Sequence, residues 1–205
     1  MATFHIAVVG AGKVGGTLGR KWIAAGHTVT FGVRDPASDV AQALHDLGGS
    51  ITVSTVADAL SAGPQIVLMA LPGGAMDAAI ATHAAQLDGR VIIDAANRMG
   101  GGGPTNSLAT FRQHTPNAKV YRAFNTYGFE NFANPDFSGI QPDLFYAGPE
   151  GDSQAQVEQL IGEIGLRPIR LGGVDQINTV DAVLGLWFGL ARQHGRHLAF
   201  KVLMD

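Results

Sequence analysis

The stretch from Ile6 to Gly26 constrains this chain more than any other. An apolar run, Ile6-Ala7-Val8-Val9, passes into Gly10-Ala11-Gly12-Lys13-Val14-Gly15-Gly16 and then into a segment with helical spacing of its apolar residues. It reads as strand, glycine turn and helix. Gly10, Gly12 and Gly15 stand at the first, third and sixth places of the turn. Glycines there allow a tight turn, close approach of the backbone to a pyrophosphate, and close packing of helix on strand. The helix that follows presents free N–H groups and a partial positive charge at its start, which suits an anion. Glycine turns also end strands for structural reasons alone, but here the flanks on both sides match a dinucleotide site.

The rest of the chain repeats the alternation. Val14 to Ala25 forms one helical face closed by Gly26, and Thr28 to Val33 is β-rich, which predicts a parallel crossover unit. A helix over Val40 to Leu47 ended by Gly48-Gly49, a strand at Ile51-Thr52-Val53 and a short helix over Val56 to Leu60 follow. Gln65 to Ala70 is a continuous apolar run, as in a strand buried on both faces of a parallel sheet, and runs into Leu71-Pro72-Gly73-Gly74. A helix over Ala75 to Gln86, a fifth strand at Arg90 to Asp94, a helix over Leu108 to Gln113 and a sixth strand over Ala118 to Phe124 complete the set. The predicted fold is α/β, a Rossmann-type doubly wound and mostly parallel sheet. It carries a small C-terminal extension of strand (Asp143 to Ala147), helix (Asp152 to Ile164), strand (Arg167 to Leu171) and a helix over Asp181 to Leu203. In that last helix Leu184, Leu186, Trp187, Phe188 and Leu190 surround the axis, which predicts burial in this chain or against a second copy, hence a homodimer. Residues 1–140 are expected as the dinucleotide-binding domain, and 141–205 as the extension that completes the acceptor site and the dimer contact.

Composition narrows the function. With 46% hydrophobic residues over 205, the chain can bury a sizeable core. A net charge of −3 with no basic run argues against nucleic acid or a membrane surface as partner. The lack of cysteine removes thiol catalysis and thiolate metal sites. Without a signal peptide pattern or an apolar run near the roughly 20 residues of a span, the expected compartment is the cytoplasm. His194 and His197 lie three apart on a predicted helix without a third ligand in view, so no metal is expected.

After the second strand comes Val33-Arg34-Asp35-Pro36. An acidic residue there suits the ribose 2′-hydroxyl of NAD, and an arginine suits the 2′-phosphate of NADP. Asp35 before Pro36 fits an N-cap, whereas Arg34 has no structural alternative, so the pair predicts NADP(H). Asn97, past the fifth strand, either contacts ribose or nicotinamide or satisfies its own loop. Asp94 is a general base or a structural acceptor. Gly100 to Gly103 reads as a mobile loop or as a second phosphate cradle. Asn125 to Pro135 is dense in aromatics and amides, and reads either as a slot for a flat ring or as packed core. No nucleophile arrangement is present, which is compatible with hydride transfer between two redox cofactors, where the protein supplies binding and orientation. Reduction of a small carbonyl or imine needs a proton donor, for which Tyr127 is the nearby group. A non-catalytic NADP-binding redox sensor is the reading outside enzymes.

Together, Gly10-Ala11-Gly12-Lys13-Val14-Gly15, Val33-Arg34, Leu71-Pro72, Ala123-Phe124-Asn125-Thr126 and Leu166-Arg167-Pro168 with Leu198-Ala199-Phe200-Lys201 resemble the coenzyme F420-dependent NADP oxidoreductases. The resemblance runs from end to end. It implies NADPH along the first strand-end turns and a deazaflavin (coenzyme F420), or a flavin in its place, stacked near the nicotinamide for direct hydride transfer. By position, Gly12, Lys13, Val14 and Gly15 would cradle the pyrophosphate, Arg34 would hold the 2′-phosphate, and Leu71 and Pro72 would line the cofactor path. Asn125 and the backbone after Thr126 would sit by the nicotinamide, and Leu198 near the deazaflavin. This chain departs from the family pattern at Val33, where a phosphate-binding serine is usual, and at Asn125, where deazaflavin-using members carry histidine.

Overall fold

The computed structural model describes residues 2–45 and 51–204. The first half of the chain runs β1 (His5–Val9), α1 (Lys13–Ala24), β2 (Thr28–Val33), α2 (Asp39–His45), β3 (Ile51–Thr55), α3 (Val56–Ser61) and β4 (Ile66–Met69). Then come α4 (Met76–Thr82), α5 (Ala84–Leu87), β5 (Val91–Asp94), α6 (Leu108–His114) and β6 (Lys119–Arg122). The remainder is α7 (Phe129–Ala133), β7 (Asp143–Tyr146), α8 (Asp152–Glu163), β8 (Arg167–Arg170) and α9 (Ile177–His194).

Six strands form one parallel sheet in the order β3-β2-β1-β4-β5-β6, the doubly wound order of the Rossmann fold. The winding reverses between β1 and β4, so their carboxyl ends flank the crevice where such sheets bind ligands. Apolar runs rather than alternation make these strands because both faces are covered. On one face Ile6 and Val8 pack with Leu18 and Trp22, and on the other Ala7 and Val9 pack with Leu60, Met76 and Ile80.

The C-terminal strands β7 and β8 pair in parallel across α8 and join the main sheet through an antiparallel bridge between Arg122 and Ala147. Burial of α8 against α1 is fixed by polar contacts: Trp22 Nε1 donates to the Leu160 carbonyl at 3.0 Å, and His27 Nε2 lies 2.6 Å from Glu163. Because His27 Nδ1 accepts from the Phe4 N–H, its proton resides on Nε2, facing the carboxylate.

Several elements differ from the sequence reading. The helix expected over Ala75 to Gln86 is a short three-ten turn at Gly73–Ala75 followed by α4 and α5, which are separated at His83 (φ −109°, ψ 21°). The second helix starts at Asp39, and its expected end at Leu47 with Gly48-Gly49 lies outside the described residues. Asp35 does not cap it. Its Oδ1 accepts from the Ala37 N–H in a turn of its own, while Ser38 Oγ accepts from Ala41 N–H.

The last helix is shifted most. It runs Ile177–His194 instead of reaching Leu203, and stops at Gly195, whose φ of +85° is open to glycine but costly for other residues. Beyond it the chain is extended and held by side chains. Asp143 accepts from Arg167 Nε (2.6 Å) and Nη2 (2.8 Å), from the Val202 N–H (2.6 Å) and from Lys201 Nζ (3.3 Å). Tyr127 donates to the Asp143 carbonyl and accepts from the Phe200 N–H. These bonds replace the helical ones the tail gives up. The helix is apolar on one side, with Ile177, Val180, Leu184 and Trp187 buried, while Leu186 is 56% exposed. His194 and His197 therefore share no helical face. His197 stacks on Phe137 and contacts the Asn134 carbonyl.

Candidate functional site

The glycine turn is built as its spacing demands. Gly10 has φ +102°, and a Cβ on it would stand 2.6 Å from the Ala70 carbonyl oxygen at the end of β4. Gly15 lies in α1 against β1, where a Cβ would meet the Gly10 carbonyl at 2.0 Å. Gly12 is different. Its φ of −69° is open to any residue, and a Cβ there would meet no protein atom within 4 Å. Neither backbone nor packing requires glycine at this place. Gly12 is the N-cap of α1 and offers no side-chain cap, and no acidic residue stands in the first turn of α1. The space in front of it is a cradle that a Cβ would begin to fill, which fits a diphosphate held by backbone N–H groups and the helix dipole.

That turn opens into a cleft of 1060 Å³, large enough for a substantial part of a dinucleotide. Of the residues singled out from sequence, Gly10, Gly12, Lys13, Val14, Val33, Arg34, Leu71 and Pro72 all line it. Arg34 is exposed and, among the described residues, has no ion pair or hydrogen bond from its guanidinium. Asp35 also borders the cleft, with Oδ1 engaged by Ala37. Lys13 is exposed, its ammonium 4.9 Å from the centre of the Phe129 ring. Sequence reasoning missed Ser38, Thr55, Thr82 and His83 on the far wall. Ser38 had a signal in its place just before a helix, whereas His83 enters only because the chain breaks between α4 and α5.

Asn97, Asn125, Thr126, Tyr127 and Leu198 do not line this cleft. They belong to the carboxyl ends of β5 and β6 and to the C-terminal tail. Asn97 Oδ1 accepts from Arg122 Nη2 at 2.7 Å, and its Nδ2 donates to the Asn125 carbonyl at 2.8 Å. The Leu198 carbonyl accepts from Asn131 Nδ2 and Trp187 Nε1. Tyr127 is buried, its hydroxyl occupied by the backbone contacts described above, and burial drives its phenol well above the ordinary range. The aromatic residues Phe124, Tyr127 and Phe132 pack into the core rather than lining a slot.

Two features mark the end of β6 as strained and incomplete. Phe124 has φ +61°, a left-handed conformation that costs an aromatic residue about 1–3 kcal/mol and gathers at functional sites. The next two side chains carry unpartnered buried oxygens, Asn125 Oδ1 and Thr126 Oγ1. The Asn125 orientation is dictated by chemistry. Its Nδ2 donates to Asp181 Oδ1 at 3.0 Å, and a carboxylate can only accept, so the acceptor oxygen is turned away and left free.

Beneath these loops lies a polar cluster that no local pattern announced. Arg122 is fully buried, and its Nε donates to Asp181 Oδ1 at 2.7 Å across 59 residues. Nη1 reaches the Asp94 and Ala96 carbonyls and lies 3.2 Å from Asp94 Oδ1. Asp94 also accepts from the Ala96 and Ser107 N–H groups, and Asp181 from Asn106 Nδ2. Burial pushes the Asp94 carboxyl up, opposed by Arg122 and by the two N–H donors. This is the structural acceptor role for Asp94.

The sheet order and the glycine turn are those of the Rossmann class of nucleotide-binding folds. Residues 5–98 match the family described as NADP oxidoreductase, coenzyme F420-dependent. Solved structures extend the likeness over the whole chain. A candidate F420-dependent NADP reductase from Arthrobacter sp. FB24 is 27% identical, with a TM-score of 0.84 over 98% of this chain and 100% of that one. Hypothetical protein SMa0349 from Sinorhizobium meliloti is 28% identical, with a TM-score of 0.68 over 100% and 97%. A reductive aminase from Aspergillus terreus, solved with NADPH4, cyclohexanone and allyl amine, shares the fold at 18% identity and a TM-score of 0.64, over 93% of this chain and 63% of its own. A search of the curated proteins finds no match. Among the described residues no helix is long and apolar enough to cross a membrane, and no three His, Asp or Glu side chains are grouped to hold a metal.

Proposed function

We propose that the cleft binds NADP(H) and that the protein passes hydride between this nucleotide and a deazaflavin, coenzyme F420, or a flavin in its place. The observation that carries the nucleotide assignment is the unpaired Arg34 guanidinium in the same cleft as the Cβ-sized gap at Gly12. Gly12 and the start of α1 hold the pyrophosphate, with Lys13 adding positive charge. Arg34 holds the 2′-phosphate, and Leu71 and Pro72 border the path toward the nicotinamide half. Asn125 and the backbone after Thr126, outside the cleft at the end of β6, would sit by the nicotinamide. When bound, NADPH supplies a hydride, a proton with two electrons, to the acceptor ring, which takes its further proton from solvent. No side-chain acid is required for that, which fits the commitment of Asp94 and Tyr127 to structural bonds.

A guanidinium–phosphate pair is worth about 1.5–3 kcal/mol. Arg34→Ala is therefore expected to weaken NADPH by roughly ten- to a hundredfold while changing NADH about twofold or less. Titration calorimetry with both nucleotides checks this, and equal losses would contradict the assignment. For the acceptor, nicotinamide oxidation is followed with deazaflavin, flavins and a panel of carbonyls and imines in turn. Turnover with deazaflavin or flavin, retained in Tyr127→Phe, is the expected result. Turnover confined to carbonyls or imines and lost in Tyr127→Phe would establish the other chemistry, and binding without oxidation of NADPH by any acceptor would defeat the enzymatic reading.

A further inference from the structure

We propose that the buried Arg122, Asp94 and Asp181 cluster is an electrostatic bias on the nicotinamide half of the bound nucleotide, favouring its oxidised, cationic ring over the reduced, neutral one. The inference rests on the NADP(H) reading above. Arg34, Ser38 and Thr55 in the cleft wall assign the adenosine half to the ends of β2 and β3. A dinucleotide spans the crevice at the switch point, so its other half lies toward the ends of β4, β5 and β6, above Asn97 and Asn125. The free Asn125 Oδ1 and Thr126 Oγ1 and the strained Phe124 stand at that end of the sheet.

The charge count is one-sided. Asp94 receives N–H bonds on both oxygens, from Ala96 on Oδ1 and Ser107 on Oδ2, and Asp181 receives them on both, from Arg122 and Asn125 on Oδ1 and Asn106 on Oδ2. Every one of these contacts makes the carboxyl an acceptor, and at Asp94 the guanidinium and the two N–H donors favour the ionised form against the burial and the Asp181 charge that push it up. One guanidinium thus faces two carboxylates, leaving one negative charge in a site where Arg122 is wholly buried and Asp94 and Asp181 side chains are 3% and 11% exposed. The cations near the cluster in sequence lie outside it: Lys119 is exposed, Arg90 donates to the Pro64 carbonyl, and Arg98 is paired with Asp77 at 2.7 Å in solvent, where screening weakens its reach. Loss of hydride turns the ring from neutral to cationic, so a fixed negative charge beneath it makes bound NADPH the better donor. Asp181 contributes through Asn125 and through this field, as a positioning residue.

A unit charge about 10 Å away in an effective dielectric of about 20 changes such an equilibrium by about tenfold. The test is the ratio of dissociation constants for NADP⁺ and NADPH, measured by titration calorimetry on the full chain. Asp181→Asn keeps the shape and removes the charge, and is expected to raise that ratio about tenfold, while binding of 2′-phospho-AMP, which lacks the nicotinamide, stays within twofold. Asp181→Glu, which keeps the charge, is expected to leave the ratio within about threefold. A purely structural role would weaken both nucleotides together, and an unmoved ratio in Asp181→Asn overturns the proposal. Should that variant not fold, the wild-type ratio decides: NADP⁺ is expected to bind at least as tightly as NADPH, and tenfold tighter binding of NADPH would overturn the bias. Failure of both nucleotides to bind the wild type would overturn the NADP(H) reading and the bias with it, whereas binding of both with no change on mutation overturns the bias alone.

Discussion

Gly12→Val is expected to fold normally and to lose NADPH affinity by more than about a hundredfold. The two halves of that expectation have separate causes. Gly12 has an ordinary φ of −69°, and nothing lies within 4 Å of a Cβ placed on it, so the folded protein accommodates a side chain. Exchanging glycine for valine at an N-cap costs about 1 kcal/mol, a fall in Tm of about 2–4 °C for a chain of this length. The valine methyls, however, occupy the space through which a pyrophosphate must approach the first N–H groups of α1. Gly15→Val is the contrasting variant: its Cβ would stand 2.0 Å from the Gly10 carbonyl, and it is expected to be unstable whether or not a nucleotide is present. Thermal melts with nucleotide titrations on both variants check the pair. A Gly12→Val protein that binds NADPH like the wild type would mean that this glycine serves no ligand.

Arg122→Met is expected to cost about 3–5 kcal/mol, a fall in Tm of roughly 6–20 °C, although methionine is close to arginine in length and more apolar. The loss comes from what is left behind. Asp94 and Asp181 remain buried without their cation, and the carbonyls of Asp94 and Ala96 and the Asn97 side chain lose a donor. Burial already pushes the Asp94 carboxyl up, and without the guanidinium that opposes it the folded-state value stands further above that of the unfolded chain. Such groups penalise folding above their folded pKa, and the penalty disappears as pH falls through it. The deficit of Arg122→Met relative to wild type is therefore expected to shrink on acidification, and Asp181→Asn in the same chain should restore part of the stability at neutral pH. Denaturant unfolding at two pH values measures both. A deficit of under about 1 kcal/mol would show that the cluster is not the junction of β5, β6 and α9 that its geometry describes.

What was legible in the sequence was local. Ile6 to Gly16 specifies a strand, a turn and a helix within eleven consecutive residues, and each strand-end turn repeats the device, so the doubly wound sheet and the wall containing Arg34, Leu71 and Pro72 could be read directly. Arg34 stood out because no nearby residue gave it other employment, and the structure leaves it unpaired among the described residues. Asp35 was misassigned in detail because an aspartate before proline can close a turn as readily as cap a helix, and Ser38 took the cap. The helix over Asp181 to Leu203 looked continuous because Gly195 is a single interruption. What actually ends it is Asp143, more than fifty residues upstream, collecting the tail through Val202 and Lys201.

The polar cluster was illegible for the same reason. Arg122 stood in an apolar strand pattern and Asp181 at the start of a helix, and only the fold makes them neighbours. Asn97, read as either a ligand contact or a loop residue, is engaged by Arg122 and by the Asn125 carbonyl, bonds that no spacing along the chain could have announced. Motif residues such as Arg167 and Lys201 carried the resemblance without revealing their work, which is to hold Asp143.

The most direct measurement is a crystal structure of the protein with NADP⁺. The expected result places the pyrophosphate over Gly12 at the start of α1, the 2′-phosphate within about 3 Å of the Arg34 guanidinium, and the nicotinamide toward Asn97 and Asn125. A nucleotide bound elsewhere, or in this cleft with its 2′-phosphate turned to solvent and Arg34 uninvolved, would contradict the account.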